Sequence, residues 1–250
     1  MNFEDFFNII KKHGFHNGLK RIRDEFFENY LFDLINKTST REIVVKKNYG
    51  KFFNNNNDNK KIKIFNTGGG AGGGDKWYQP TYATPLIKAL EFLKKDILYY
   101  KKDEVIFIDI GCGKGKPNYI FSKLFPQINS CGIEMYNYYK KFFINNLKLV
   151  TKNFTFINEK AQCVNLNLFN KKKLIILHNK NSFTLSNLIL ILKKFHKLNR
   201  KIYLIYNNPF FHSKIIKIKS LNKKKIYFRL VFSVNGWHKN FNTNVYSLEK

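Results

Sequence analysis

A chain of 250 residues, 44% hydrophobic and 17% aromatic, can bury one α/β-sized core with an appendage, which excludes disorder throughout. With 45 Lys and Arg against 17 Asp and Glu, the formal net charge of +28 excludes an acidic solvating protein and directs attention to acidic partners such as nucleic acid. The longest apolar stretch, around Leu185–Leu192, is too short to span a bilayer, and the opening MNFEDFFNIIKKHGF lacks the features of a signal peptide. The expectation is therefore a soluble, cytoplasmic protein without membrane insertion, its thiols Cys112, Cys131 and Cys163 reduced and outside any metal-binding pattern.

Three zones separate by composition. Residues 1–45 place apolar side chains at helical spacing (Phe6, Ile9, Ile10, then Leu19, Ile22, Phe26, Phe27, Tyr30, Leu31) and read as a helical arm. Residues 46–76 are an Asn- and Gly-rich linker ending in TGGGAGGGDK, which lacks the Gly-Lys-Ser/Thr of a phosphate loop. Residues 77–250 alternate strand-like and helix-like segments. VIFIDI (105–110) is a β-branched apolar run of the kind a buried parallel strand requires, and a helix follows to about Leu124. SCGIEM (130–135) is the next strand, and Tyr138–Val150 a helix with Tyr139, Phe142, Phe143 and Leu147 inward. FTFIN (154–158), LIILHN (174–179) and KIYLIY (201–206) are further strands. Leu185–Leu198 is a helix with Leu188, Ile189, Leu192 and Phe195 inward, and KIYFRLVFSV (225–234) and NVYSLE (244–249) form an antiparallel pair. The pattern predicts an α/β fold with a doubly wound, mostly parallel seven-stranded Rossmann-like sheet and ligand binding at the carboxyl ends of its strands.

The stretch Asp109-Ile-Gly-Cys-Gly-Lys-Gly115 lies between the first strand and its helix. Gly111, Gly113 and Gly115 suit a tight turn that lets a ligand approach the backbone, and Glu134 ends the next strand, where an acid meets ribose hydroxyls. Lys116 stands where a dinucleotide turn wants a small residue, which disfavours a nicotinamide enzyme. The D-x-G-x-G-x-G pattern resembles the cofactor turn of class I S-adenosylmethionine-dependent methyltransferases. The resemblance implies S-adenosylmethionine as cofactor, with Asp109, the three glycines and Glu134 holding it and Asn158 or Glu159 near the adenine.

YQPTYATPL (78–86) ahead of that turn is similar to a poorly characterised bacterial and viral group of these enzymes that carries a Tyr-x-Pro-Thr segment. The group also has an upstream FD-x-x-x-G-T-D-T-like element. Here YLFDLINKTSTREIV matches at Phe32, Asp33, Thr38 and Thr40 and departs at Lys37 and Ser39. This closer resemblance implies an arm folded over the cofactor, with Tyr78 and Thr81 beside it. Its fourth-strand Asn-Pro-Phe turn reads here as Asn181-Ser182-Phe183, so Asn179, Asn181 and Phe183 border the acceptor and His178 is a candidate base. YNNPFF (206–211), similar to the turn of amino-group methyltransferases, is the other candidate. The glycine turn, the Gly-x-Glu strand end and the Asn-rich fourth-strand turn also resemble non-SET histone-lysine methyltransferases. The expected activity is methyl transfer to a protein side chain, RNA or a small molecule. The alternative is a non-catalytic nucleic-acid-binding protein on a degenerate methyltransferase fold, with Lys171–Lys173 and Lys214–Lys225 as its basic faces.

Overall fold

The computed structural model describes residues 3–40, 81–180, 183–216, 227–235 and 242–249; the linker, Tyr78, Asn181 and most of Lys214–Lys225 lie outside them. The strands are β1 (Val105–Ile110), β2 (Asn129–Ile133), β3 (Phe154–Ile157), β4 (Leu174–Asn179), β5 (Lys201–Asn207), β6 (Tyr227–Val234) and β7 (Thr243–Glu249). They form one sheet in the order β3-β2-β1-β4-β5-β7-β6. β1 to β5 pair in parallel, while β7 runs antiparallel between β5 and β6. The C-terminal strands are thus the antiparallel pair expected, but the later one occupies the inner position.

Each central strand is buried along its whole length, because helices cover both faces. Alternation sends Val105 and Phe107 to one face, under α4 (Ala83–Tyr99), α5 (Lys116–Leu124) and α6 (Lys140–Lys148). Ile106, Ile108 and Ile110 point to the other, under α7 (Leu185–His196) and the short α8 (His212–Ile215). The inward stripe of α7 is Leu188, Ile191, Leu192 and Phe195, so Ile191 holds the buried place expected of the half-buried Ile189. The second strand stops at Ile133 rather than Met135, and the helix expected from Tyr138 begins with a 3-10 turn, Asn137–Tyr139. The arm comprises α1 (Phe3–His13), α2 (Phe15–Glu25), a π-helical segment Phe26–Leu31, and α3 (Phe32–Asn36).

Chain order runs outward from β1 in opposite directions, through β2 and β3 on one side and β4 and β5 on the other. The order reverses between β1 and β4, and the carboxyl ends of these strands are where a sheet of this topology forms its ligand crevice. α6 closes on the sheet beside it through Phe143. A Cβ added at Gly132 would stand 2.4 Å from the Phe143 ring and 2.6 Å from Cys112 Sγ, so β2 needs glycine there for close packing rather than for backbone freedom. Gly132→Ala should therefore destabilise the protein by about 1–3 kcal/mol in urea denaturation, the range for an overpacked core.

Candidate cofactor site

β1 delivers Asp109 to the edge of the crevice and the chain turns at once. Gly111, Gly113 and Gly115 take φ of 77°, 49° and 80°, a region costly for any residue with a Cβ. The turn is sewn to β2, since Gly111 N and Cys112 N both donate to Ile133 O, at 2.8 and 3.1 Å. Glu134 follows directly. One carboxylate oxygen accepts from Gly113 N at 3.1 Å and the other from Tyr136 N at 3.0 Å. Burial raises its pKa, with nearby Asp109 adding to the rise, while donations from Tyr136, Gly113 and Met135 N–H groups oppose it. Asn158 secures this corner from β3, its amide donating to the carbonyls of Glu134 and Met135. Glu159 beside it is exposed.

Asp109 begins a polar row across four strands. His178 of β4, paired in register with Asp109, brings Nδ1 to within 2.6 Å of Asp109 Oδ1. Its Nε2 lies 2.5 Å from Asn207 Oδ1 on β5, and Asn207 Nδ2 donates to Thr243 Oγ1 of β7 at 2.5 Å. All four side chains are buried. Both ring nitrogens of His178 are thus committed inside the protein, a geometry for orienting Asp109 rather than for meeting a substrate proton. Asn207, the first amide of the YNNPFF turn, is likewise committed at both ends of its side chain. Among the described residues Asp109 Oδ2 has no hydrogen-bond partner although it is buried. An acceptor left so costs about 1–3 kcal/mol. The oxygen is thus open to a further donor.

Alternation separates the residues expected to act on the acceptor. His178 shares the α4–α6 face with Asp109, whereas buried Asn179 turns to the opposite face, where half-buried Phe183 packs on the core beneath α7. Thr81 is buried immediately ahead of α4.

Lys116, noted in the sequence only as a departure, joins the turn to the arm. It is fully buried, donates to the Glu28 carbonyl of the π-helical segment and sits 4.4 Å from the centre of the Phe32 ring. The Glu28 carboxylate accepts from Ala83 N at 2.6 Å and Thr84 N at 3.1 Å, supplying the negative charge that the start of α4 favours. Asp33 Oδ1 gathers the Thr38 hydroxyl (2.7 Å), Thr40 N (2.9 Å) and the Thr40 hydroxyl (2.6 Å). The four matching positions of the upstream element thus include one hydrogen-bonded knot, and Lys37, where the pattern has glycine, adopts φ 53°. Asn146 of α6 links knot and turn, accepting from Ser39 N at 3.0 Å and donating to Lys114 O at 2.9 Å.

The sequence matches no known family profile and no curated protein. Solved structures match by shape. The human methyltransferase 10 domain containing protein superposes with a TM-score of 0.50 at 8% identity, over 68% of this chain and 84% of that one. An rRNA methylase from Streptococcus thermophilus (14% identity, 66% and 96% covered, TM-score 0.47) and a precorrin-6y C5,15-methyltransferase from Geobacter metallireducens (18%, 72% and 98%, 0.45) are further matches. The chain has the Rossmann-like fold of class I methyltransferases, with an N-terminal helical arm. No helix among the described residues is long and apolar enough to cross a membrane.

Lys116 also gives the docked arm a pH signature. Burial lowers its pKa from 10.5 to about 8, with Glu28 and Asp33 opposing the shift. Between these values the folded protein binds fewer protons at this site than the unfolded chain, so stability should rise with pH across the window, by up to about 3 kcal/mol. Urea denaturation from pH 7.5 to 10.5 should show that rise in the wild type and its loss in Lys116→Met.

Proposed function

We propose that this chain transfers a methyl group from S-adenosylmethionine to an acceptor. One arrangement carries the reading: at the strand-order switch, a turn of three positive-φ glycines lies between the buried, half-unsatisfied carboxylate of Asp109 and the Glu134 carboxylate. The donor set fits this cofactor. It holds two acids, which suits a ligand with an ammonium group and a ribose diol. Glu134 would exchange its backbone donors for the ribose hydroxyls, and Asp109 Oδ2 would receive the ammonium. Held there by Asp109 and Glu134, the cofactor would supply an activated methyl group, on a sulfonium, to an acceptor's lone pair.

His178, held between Asp109 and Asn207, fixes the carboxylate that receives the ammonium and is a positioning residue in this reading. The resemblance assigns Tyr78 and Thr81 to the cofactor and Glu159 to its adenine; Tyr78 lies outside the described residues. It assigns Asn179, Asn181 and Phe183 to the acceptor side, where alignment would supply much of the rate; Asn181 lies outside the described residues. Glu134→Ala should weaken S-adenosylmethionine binding by about ten- to a hundredfold in isothermal titration calorimetry, the loss expected for hydrogen bonds to a charged group. Unchanged affinity would remove Glu134 from the site. Incubation with methyl-labelled cofactor and fractionated extract should then place label in one class of acceptor.

A further inference from the structure

The 17 acids of the chain are unevenly placed. Sixteen lie at or before Glu159 and the other is Glu249, so residues 160–248 hold none while carrying sixteen Lys and two Arg. Up to Glu159 about one residue in ten is an acid, a density at which the next eighty-nine would hold about nine. A compositional bias shared by the whole chain would not empty one segment alone. Earlier acids reach part of this segment: Glu104 pairs with Lys173 at 2.6 Å, and Asp96 of α4 with Lys201 at 2.7 Å. On the α7 side no described carboxylate pairs with Lys171, Lys193, Lys194, Lys197 or Arg200.

These five cations form one patch because the end of α7 rests on the connection between β3 and β4. Phe195 of α7 stacks on Phe169 of that connection, with ring centres 6.0 Å apart. Lys194 Nζ donates to Gln162 O at 3.0 Å and the Arg200 guanidinium to Asn170 O at 3.1 Å, so both charges are tethered by carbonyls rather than cancelled. Lys171 follows Asn170 directly, and Lys193 and Lys197 stand one turn apart at the end of α7. Lys171, Lys197 and Arg200 are exposed, as are Asn165, Asn167 and Asn170 beside them. Among the described residues from 160 to 200 no aromatic ring is exposed: Phe169 and Phe195 are buried and Phe183 is half-buried.

We infer that this patch docks double-stranded RNA. A duplex turns its phosphates outward in fixed rows, and cations tethered to a helix end meet them with little further ordering. A single strand is held by exposed rings on which its bases stack, and the patch offers none. B-form DNA is read by an element inserted into its major groove, whereas α7 lies flat on the sheet along its stripe from Leu188 to Phe195. The A-form minor groove is instead wide, shallow and lined with 2′-hydroxyls. These both donate and accept, as the amides of Asn165, Asn167 and Asn170 do. The end of α7 leads into the amino end of β5, at the far ends of the strands from the glycine turn, so docking there does not depend on the cofactor reading.

The test is fluorescence anisotropy of the full chain with a fluorescein-labelled RNA duplex of about sixteen base pairs, over a salt series. Lys171→Gln with Lys197→Gln should weaken binding about tenfold or more and lower the salt slope by about 2, one phosphate contact per lysine. Lys94→Gln with Lys95→Gln, exposed on α4 over the opposite face of the sheet, should leave both quantities as in the wild type. The DNA duplex of the same sequence and the single RNA strand should each bind about fivefold or more weakly than the RNA duplex. Equal losses from the two lysine pairs would overturn the inference. So would a DNA duplex or single strand that binds as tightly, polyglutamate that competes as well as RNA, or a wild-type chain that leaves the RNA duplex unbound at low salt.

Discussion

A carboxylate at the end of a fully buried parallel strand must find partners or lose its charge, and Asp109 obliges three other strands to provide for it. β4 answers with His178, β5 with Asn207 and β7 with Thr243, each bonded to the next. Among the described residues Asp109 Oδ2 is the oxygen of that carboxylate left without a partner. What remains is one oriented, desolvated oxygen at the mouth of a crevice, a form of preorganisation costly to build and useful chiefly to a ligand.

The arm meets the same region from outside. Glu28, Asp33 and Thr40 come from the N-terminal arm, yet their bonds end on the start of α4, on the knot beside the glycine turn and, through Lys116, on the first turn of α5. Within the π-helical segment the Glu28 carbonyl accepts from Lys116 while its carboxylate reaches the start of α4. Asn146 adds a third connection from α6. Turn, arm and α6 are therefore one hydrogen-bonded unit.

The local parts of this arrangement were legible in the sequence and the collective parts were not. β1 and β4 have the bounds read from their apolar runs, because full burial leaves an unbroken signal. The glycine turn was legible because positive φ selects glycine. The polar row was not: its members are separated by 69, 29 and 36 residues, and no local period connects them. His178 read as a candidate base because a lone histidine at a strand end looks the same whether its nitrogens face solvent or neighbours. Asn207 read as a candidate acceptor contact for the same reason. Lys116 read only as a departure from a dinucleotide turn and Glu28 carried no signal, since a buried lysine and a helix-capping glutamate resemble solvated charges until the packing is known. Lys37 was misleading, a lysine in a left-handed conformation where the pattern offers glycine.

β7 follows β6 in the chain but lies inside it in the sheet. β6 cannot join by docking onto β5; it must stand aside until β7 has been inserted, or enter as a preformed hairpin with it. Thr243, the last member of the polar row, arrives in that same event, so the crevice-side hydrogen bonds and the closure of the antiparallel edge are completed together. Assembly of the sheet and completion of the candidate site thus share a final step, and a nascent chain lacking its last strand would expose the edge of β5 and leave the Asn207 amide without its Thr243 partner at once.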